Sequence, residues 1–167
     1  TKTAMGARML RSIIEQPLIN KDEIEKRLTA VEELTGMPMI RDEIREYLQP
    51  VYDLERLSSR IAYQTANPRD LIAFKSSLQM LPFIRQLLTG FQGDLLKNVQ
   101  NDLDPLEDLF HAIDDAIIDD PPMAMKDGGI IKDGYNEQMD KYRAAKKDGQ
   151  KWLSDLVFNL TYNPEGK

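Results

Sequence analysis

Residues 67–81 read NPRDLIAFKSSLQML, and this stretch carries both the start signal and the periodicity of a helix. Asn67 is a residue type that caps helices, Pro68 stands at the first helical position, and Asp70 stands at the third. The apolar residues that follow recur every three or four positions: Leu71, Phe74, Leu78 and Leu81. Because an apolar stripe of this kind has to be buried against other helices, the stretch predicts a core of helices packed on helices.

The same helical periodicity continues on both sides of this stretch. Asn20 is the predicted cap of an early helix, with Glu23 as its capping-box partner and Gly36 as its stop. Further helices are predicted, in chain order, over residues 4–15, 20–36, 39–48, 51–62, 82–88, 103–118 and 135–156. The predicted fold is therefore all-α, an elongated bundle of several helices.

One stretch, residues 119–134, interrupts the helical pattern. It holds Pro121-Pro122 and two turn dipeptides, Asp127-Gly128 and Asp133-Gly134, which flank a pair of isoleucines. We expect a short turn-rich or hairpin-like insertion here.

Composition excludes several classes of protein. The chain has no cysteine, which excludes a disulfide framework and a thiolate metal site. Its 22 basic and 28 acidic residues give a net charge of −6. A DNA-binding surface is normally basic, so the composition does not favour a stand-alone DNA-binding protein. The sequence contains neither a long apolar run nor a signal peptide, so we expect no membrane association and a cytoplasmic location.

Residue types that could carry metal chemistry are few. A carboxylate-bridged metal site in a helical bundle needs two Glu-x-x-His pairs, but His111 is the single histidine, with Glu107 four residues before it. We expect His111 to be structural. The acidic cluster lacks the alternating spacing and central glycine of a calcium loop, and a solvated helix face is expected instead: Asp114, Asp115, Asp119 and Asp120.

The glycine-rich and arginine-rich segments also have structural interpretations. Gly128, Gly129 and Gly134 are followed by no Gly-Lys-Ser/Thr, so they are expected to supply positive φ in turns rather than to hold phosphate. The arginines best placed to bind an anion lie near acidic residues, and ion pairs within the chain are expected: Arg8, Arg11, Arg56, Arg60 and Arg69, with Asp53, Glu55 and Asp70 nearby.

Several motifs occur together in a distinctive order. Residues 1–11 read TKTAMGARMLR and residues 15–18 read EQPL. The later blocks are IEKRLTAVEEL at 24–34, DLERL at 53–57, SRI at 59–61, ANPRDL at 66–71, LP at 81–82, DGGII at 127–131 and GYN at 134–136. In content, order and spacing this series resembles the core region of the MutS family of bacterial DNA mismatch-repair proteins.

The resemblance implies a structural and allosteric role for residues 1–156, as the first part of a helical core and lever region. In that family the region links a DNA clamp to an ATPase domain. The parent protein would be a homodimer that binds mismatched double-stranded DNA, ATP and Mg²⁺, and recruits downstream repair factors. The mismatch-reading Phe-x-Glu loop and the phosphate-binding loop of the family are both missing from this sequence, so no catalytic, cofactor-binding or metal-binding residue is assigned, and the chain is expected not to be an enzyme.

Residues 157–167 depart from the family pattern, which continues there as a charged helix rich in Glu and Arg. We expect a lineage difference, an artificial end of the fragment, or a divergent tail leading toward the clamp. The start at Thr1, in a helical context without an initiator methionine, predicts a piece of a longer chain. The bacterial-type Ala4-Met5-Gly6 favours a mismatch-repair protein over a paralogue.

A second hypothesis is a free-standing helical module for protein–protein interaction. Its candidate surfaces are Met5 and Met9 at the start and the apolar seam from Tyr135 to Leu156. A carboxylate-metal enzyme is a third class, which the single histidine nearly excludes.

Overall fold

The computed structural model describes residues 1–162, apart from the side chains of residues 156 and 159–162. Nine α-helices lie in this part of the chain, in the order α1 (Ala4–Glu15), α2 (Lys21–Gly36), α3 (Pro38–Leu48), α4 (Leu54–Ala62), α5 (Pro68–Leu78), α6 (Leu81–Leu88), α7 (Asp94–Asp102), α8 (Glu107–Ala116) and α9 (Glu137–Tyr162). Residues 1–162 contain one short 3₁₀ helix, Met125–Asp127, and no extended strand. The all-α prediction is confirmed.

The chain divides into two compact units, Thr1–Ile130 and Ile131–Lys167. In the first unit, α5 packs against α4, α6 and α8, while α6 packs against α3 and α7. The core of this unit has two buried clusters. One comprises Ala30, Ile84, Leu88, Phe91 and Leu96, and the other comprises Leu57, Phe74, Leu78 and Leu81. Leu103 packs against both clusters and so joins them.

The helix start at Asn67 is confirmed in detail. The Asn67 side chain accepts from the backbone N–H of Asp70, and the Asp70 side chain accepts from the backbone N–H of Asn67 at 2.7 Å. These two bonds form a capping box, which satisfies two N–H groups that the helix itself leaves unpaired.

The capping box expected at Asn20 is wrong. Asn20 does cap α2, but it accepts from the backbone N–H of Asp22. Glu23 instead accepts from Lys26 at 2.8 Å, because a cation three residues away on the helix surface competes for its carboxylate.

Several predicted boundaries shift. Helix α4 begins at Leu54 rather than Val51, because Asp53 caps it and Val51 is buried in the core. Helix α8 begins at Glu107 rather than Leu103, because Leu106 adopts a left-handed conformation with φ +53° directly before it. Helix α7 was not predicted.

The first unit ends in the turn-rich insertion, which is confirmed. The Ile118 N–H donates to the Ile130 carbonyl at 3.0 Å and closes a loop that contains the 3₁₀ helix. Gly128 and Gly129 have φ values of +70° and +68°, as their predicted role in turns requires.

In the second unit, α9 begins at Glu137, two residues later than predicted. Asn136 accepts from the backbone N–H groups of Gln138 and Met139. Arg143 donates to Asp133 at 2.6 Å and to the Ile131 carbonyl, and so fixes the turn that precedes the helix. The helix runs without a break through position 156, as expected. The boundary at 156 stays a prediction, and residues 163–167 of the expected tail lie outside the described residues.

Candidate functional site

Arg8 joins α1 to the start of α4. Its guanidinium donates to both carboxylate oxygens of Asp53, at 2.7 and 2.8 Å, and also to Glu55. The hydrogen bond from Arg8 is the largest cause that holds the pKa of Asp53 at about 2; burial opposes this shift, and the Arg56 backbone N–H adds to it. The same contacts raise the pKa of Arg8. A two-pronged bond of this kind orients both side chains.

The other arginines also meet acidic partners, as predicted. Arg60 donates to Asp70 at 2.9 Å, and Arg11 donates to Glu15 at 2.7 Å. Arg56 lies 3.4 Å from Asp53. Because these charges are paired within the chain, they are poorly placed to neutralise phosphates.

Arg69 lies on α5 but reaches the segment that follows α8. It donates to the Pro121 carbonyl at 3.0 Å and lies 3.8 Å from Asp120. Pro121 is among the most deeply buried side chains of the described chain. Arg69 therefore fastens this segment to α5 by a main-chain contact, which a charge pattern in the sequence does not predict.

Lys75 changes the interpretation of the acidic cluster. This lysine of α5 is 9% exposed, and its ammonium donates to Asp114 at 3.0 Å and to Asp119 at 2.8 Å. Burial lowers the pKa of Lys75, but the hydrogen bonds to Asp119 and Asp114 outweigh burial and raise it overall. Asp115 and Asp119 are exposed, as expected of a solvated acidic face, and Asp114 is 39% exposed. The sequence did not indicate that Asp114 and Asp119 both accept from Lys75.

Two further polar contacts between distant parts of the chain were missed. Ser77, fully buried on α5, donates to the Ala73 carbonyl and accepts from the Tyr52 N–H at 2.9 Å. Glu33 of α2 accepts from the backbone N–H groups of Gln92 and Gly93 at the start of α7. Lys75 lies beside the apolar positions of α5, and this is the one sequence signal that could have indicated a buried polar contact.

The positions considered for metal or phosphate binding have structural surroundings. His111 is exposed and contacts Phe110 edge-on, with ring centroids 5.3 Å apart. Within residues 1–162, no three or more His, Cys, Asp or Glu side chains are grouped so as to hold a metal ion. In the same residues, no helix is both long and apolar enough to cross a membrane.

Large apolar side chains are exposed on α1 and α9. On α1, Met9 is 64% exposed and Ile14 is 70% exposed, whereas Met5 is half-buried. On α9 the predicted apolar seam is exposed at each position whose side chain is described: Met139, Tyr142 and Leu153, together with Tyr135 just before the helix. Exposed apolar patches are typical of surfaces that contact other protein.

Fold and contacts together define an all-α domain in which ion pairs join helices of the first unit. The chain matches the family model for MutS domain III over residues 1–161 and belongs to that family.

The chain is similar to bacterial proteins named DNA mismatch repair protein MutS. It is 54% identical over 156 residues to the protein of Lachnoclostridium phytofermentans, which is 93% of this chain and 17% of that protein. It is 51% identical to the proteins of Acetivibrio thermocellus and Caldanaerobacter subterraneus, over 93% of this chain and 18% of each. The chain thus spans less than a fifth of the length of these curated relatives.

Proposed function

We propose that this chain is a structural and allosteric segment of a DNA mismatch-repair ATPase, in which it links the DNA-clamping part to the ATPase part. The observation that carries the proposal is the match to MutS domain III over residues 1–161, combined with coverage of only 17–18% of the relatives' length. The mismatch-binding and ATP-hydrolysing groups would then belong to the remainder of a longer parent protein.

Polar contacts around α5 support a role in transmitting movement. Arg69 and Lys75 fasten α5 to the segment after α8, and Ser77 fastens it to the connection before α4. Because α5 is bonded to both connections, a displacement of either connection also acts on α5. Rigid elements that have two discrete arrangements are the means by which distant sites are coupled.

The parent protein would act as a cytoplasmic homodimer that binds mismatched double-stranded DNA, ATP and Mg²⁺, and recruits downstream repair factors. For this chain alone we propose neither DNA binding nor ATP hydrolysis. Its net charge of −6 and the intramolecular pairing of Arg8, Arg56 and Arg60 both oppose phosphate binding.

A titration of the 167-residue chain with matched and mismatched duplexes at low salt tests whether the chain alone binds DNA. The expected result is weak binding without preference for the mismatch, and no ATP hydrolysis. Tight, mismatch-selective binding by the chain alone would contradict the proposal.

The linking role is tested in the parent protein by Lys75→Met. We expect mismatched DNA to stimulate ATP hydrolysis less in this variant, while DNA affinity and basal hydrolysis stay near the unsubstituted values. Lys97→Met, at an exposed position of α7, is the matched control. Equal stimulation in both variants would argue against a role for the α5 contacts.

A free-standing interaction module is the second candidate, and the exposed apolar side chains of α1 favour it. A start codon before Thr1 and a stop codon after Lys167 in the coding sequence would support this candidate over the first.

A further inference from the structure

An exposed aromatic pair lies between α3 and α6. Phe83 is 44% exposed, and its ring stacks on Tyr47 with centroids 5.1 Å apart and planes 6° from parallel. We refer to Tyr47 and Phe83 as the aromatic ridge. The Phe83 side chain is partly exposed to solvent, and its stacking on Tyr47 restricts its movement. Such a side chain is well suited to contact a partner, because it loses little conformational freedom on binding.

A cavity lies on each side of Phe83. The first, of about 350 Å³, lies between α3 and α6, and its apolar lining includes Ile40 and Leu87. The second, of about 300 Å³, lies between α6 and α8 and is lined by Leu78 and Phe110. Phe83 lines both cavities and is therefore the wall between them. Two adjacent cavities near the lower size limit of ligand pockets suit two apolar side chains of one peptide segment.

The charge at the ridge has a single sign. Glu43 lines the first cavity and Glu107 lines the second, and no Lys or Arg lines either one. Both glutamates are exposed, and neither has an ion-pair partner within the described part of the chain. They differ in this from Asp53 and Asp70, which meet arginines. Unpaired carboxylates at the rim attract cations and repel phosphates.

We propose that the aromatic ridge is a docking site for a basic amphipathic segment of a partner protein. Two apolar side chains of the segment occupy the cavities on either side of Phe83, and its Lys or Arg side chains pair with Glu43 and Glu107. The carboxylates exclude nucleic acid as the occupant, and the apolar lining selects a segment that presents large aliphatic or aromatic anchors.

The probe for this site is a synthetic helical peptide with two leucines spaced by about seven residues, which is two helical turns, and lysines beside each leucine. A second peptide carries glutamate in place of every lysine. Affinity for the 167-residue chain is measured by fluorescence anisotropy, and the contact is located by the NMR shifts of the side-chain methyl and aromatic ring protons.

We expect the lysine peptide to bind, to shift the Phe83 and Tyr47 ring signals, and to bind at least about tenfold more tightly than the glutamate peptide. Phe83→Ala is expected to weaken binding about tenfold, as removal of a central aromatic anchor does. The double substitution Glu43→Lys and Glu107→Lys is expected to weaken it comparably, and because both positions are exposed it keeps the fold. Glu32→Lys together with Asp115→Lys reverses two exposed charges that line neither cavity; this double variant is the matched control and should leave affinity unchanged.

Three results would each overturn the proposal. They are equal affinity for the two peptides, no effect of the double charge reversal, and NMR shifts confined to the apolar side chains of α1.

Discussion

Gly93 lies directly against the carboxylate of Glu33. A Cβ at position 93 would stand 2.6 Å from Oε2 of Glu33, closer than such atoms approach in proteins. Oε1 of the same carboxylate accepts from the N–H groups of Gln92 at 2.8 Å and Gly93 at 2.9 Å, where α7 begins. Oε2 is buried without a hydrogen-bond partner among the described residues. One side chain of α2 thus caps α7, and the absence of a side chain at position 93 makes room for it.

Gly93→Ala is expected to destabilise the chain by about 1 kcal/mol, the typical cost of a lost helix cap. The backbone at position 93, with φ −63° and ψ 138°, suits alanine, so the cost comes from displacement of the Glu33 carboxylate. In a Glu33→Ala background the same substitution should cost less than half as much, because the atom it displaces has gone. Urea unfolding of the four chains measures this coupling, and strict additivity would show that the two residues act independently.

The Lys75 contacts predict an asymmetry between the cation and its partners. In the intact chain Lys75 is 9% exposed, so removing both carboxylates, by Asp114→Ala and Asp119→Ala together, leaves a largely buried lysine without these partners, and we expect a loss of about 2–3 kcal/mol. Lys75→Met should cost about 1 kcal/mol or less, because the carboxylates left behind are 39% and 81% exposed and regain water.

Asp115→Ala, at an exposed neighbour on the same helix, is the control for helix propensity. Thermal and urea unfolding of the variants tests the ranking. A larger loss for Lys75→Met than for the double aspartate variant would mean that the lysine contributes through packing rather than through its buried charge.

The parts of the fold that could be predicted are those set by interactions between residues close together in the sequence. The residues that begin α5, Asn67, Pro68 and Asp70, act within one helical turn, so their pattern alone defines the start. Helix α7 was not predicted, because Gly93 supplies no side-chain cap and the capping carboxylate comes from residue 33.

Distance along the chain also explains the missed polar contacts. Ser77 and Tyr52 are 25 residues apart, and Lys75 and Asp119 are 44 residues apart. A single sequence does not indicate which polar side chain in an apolar stripe will meet a partner on another helix. The sequence predicted that the arginines form ion pairs, because acidic residues lie near them. It did not predict that Arg8 donates to both carboxylate oxygens of Asp53.

The depressed pKa of Asp53 predicts a component of acid unfolding. Its pKa is about 2 in the folded chain, against an ordinary value of 3.8. The folded state therefore binds this proton less readily than the unfolded state, so the stabilisation is complete above pH 3.8 and is lost as pH falls toward 2. We expect Asp53→Asn, which retains a capping oxygen for α4, to flatten the fall in unfolding free energy over this range. Urea unfolding at a series of pH values measures it.

Glu55→Gln is the matched control for Asp53→Asn, because Glu55 shares Arg8 but is 71% exposed. Its pH profile should stay close to that of the unsubstituted chain between pH 3.8 and 2. Profiles of Asp53→Asn and the unsubstituted chain that fall in parallel would show that other carboxyl groups dominate acid unfolding.

The exposed apolar face of α1 predicts self-association of the isolated chain. Leu10 and Ile14, four residues apart on one side of α1, are 48% and 70% exposed, and burial of a side chain of this size contributes about 1.5–3 kcal/mol. Light scattering should therefore give an apparent mass that rises with protein concentration, and Ile14→Lys should shift this rise to higher concentration. Ser12→Lys adds the same charge at an exposed polar position of α1 and separates loss of apolar surface from charge repulsion. A compact monomer at every concentration would mean that the face is covered within the chain. An equal effect of the two lysines would mean that charge alone governs association.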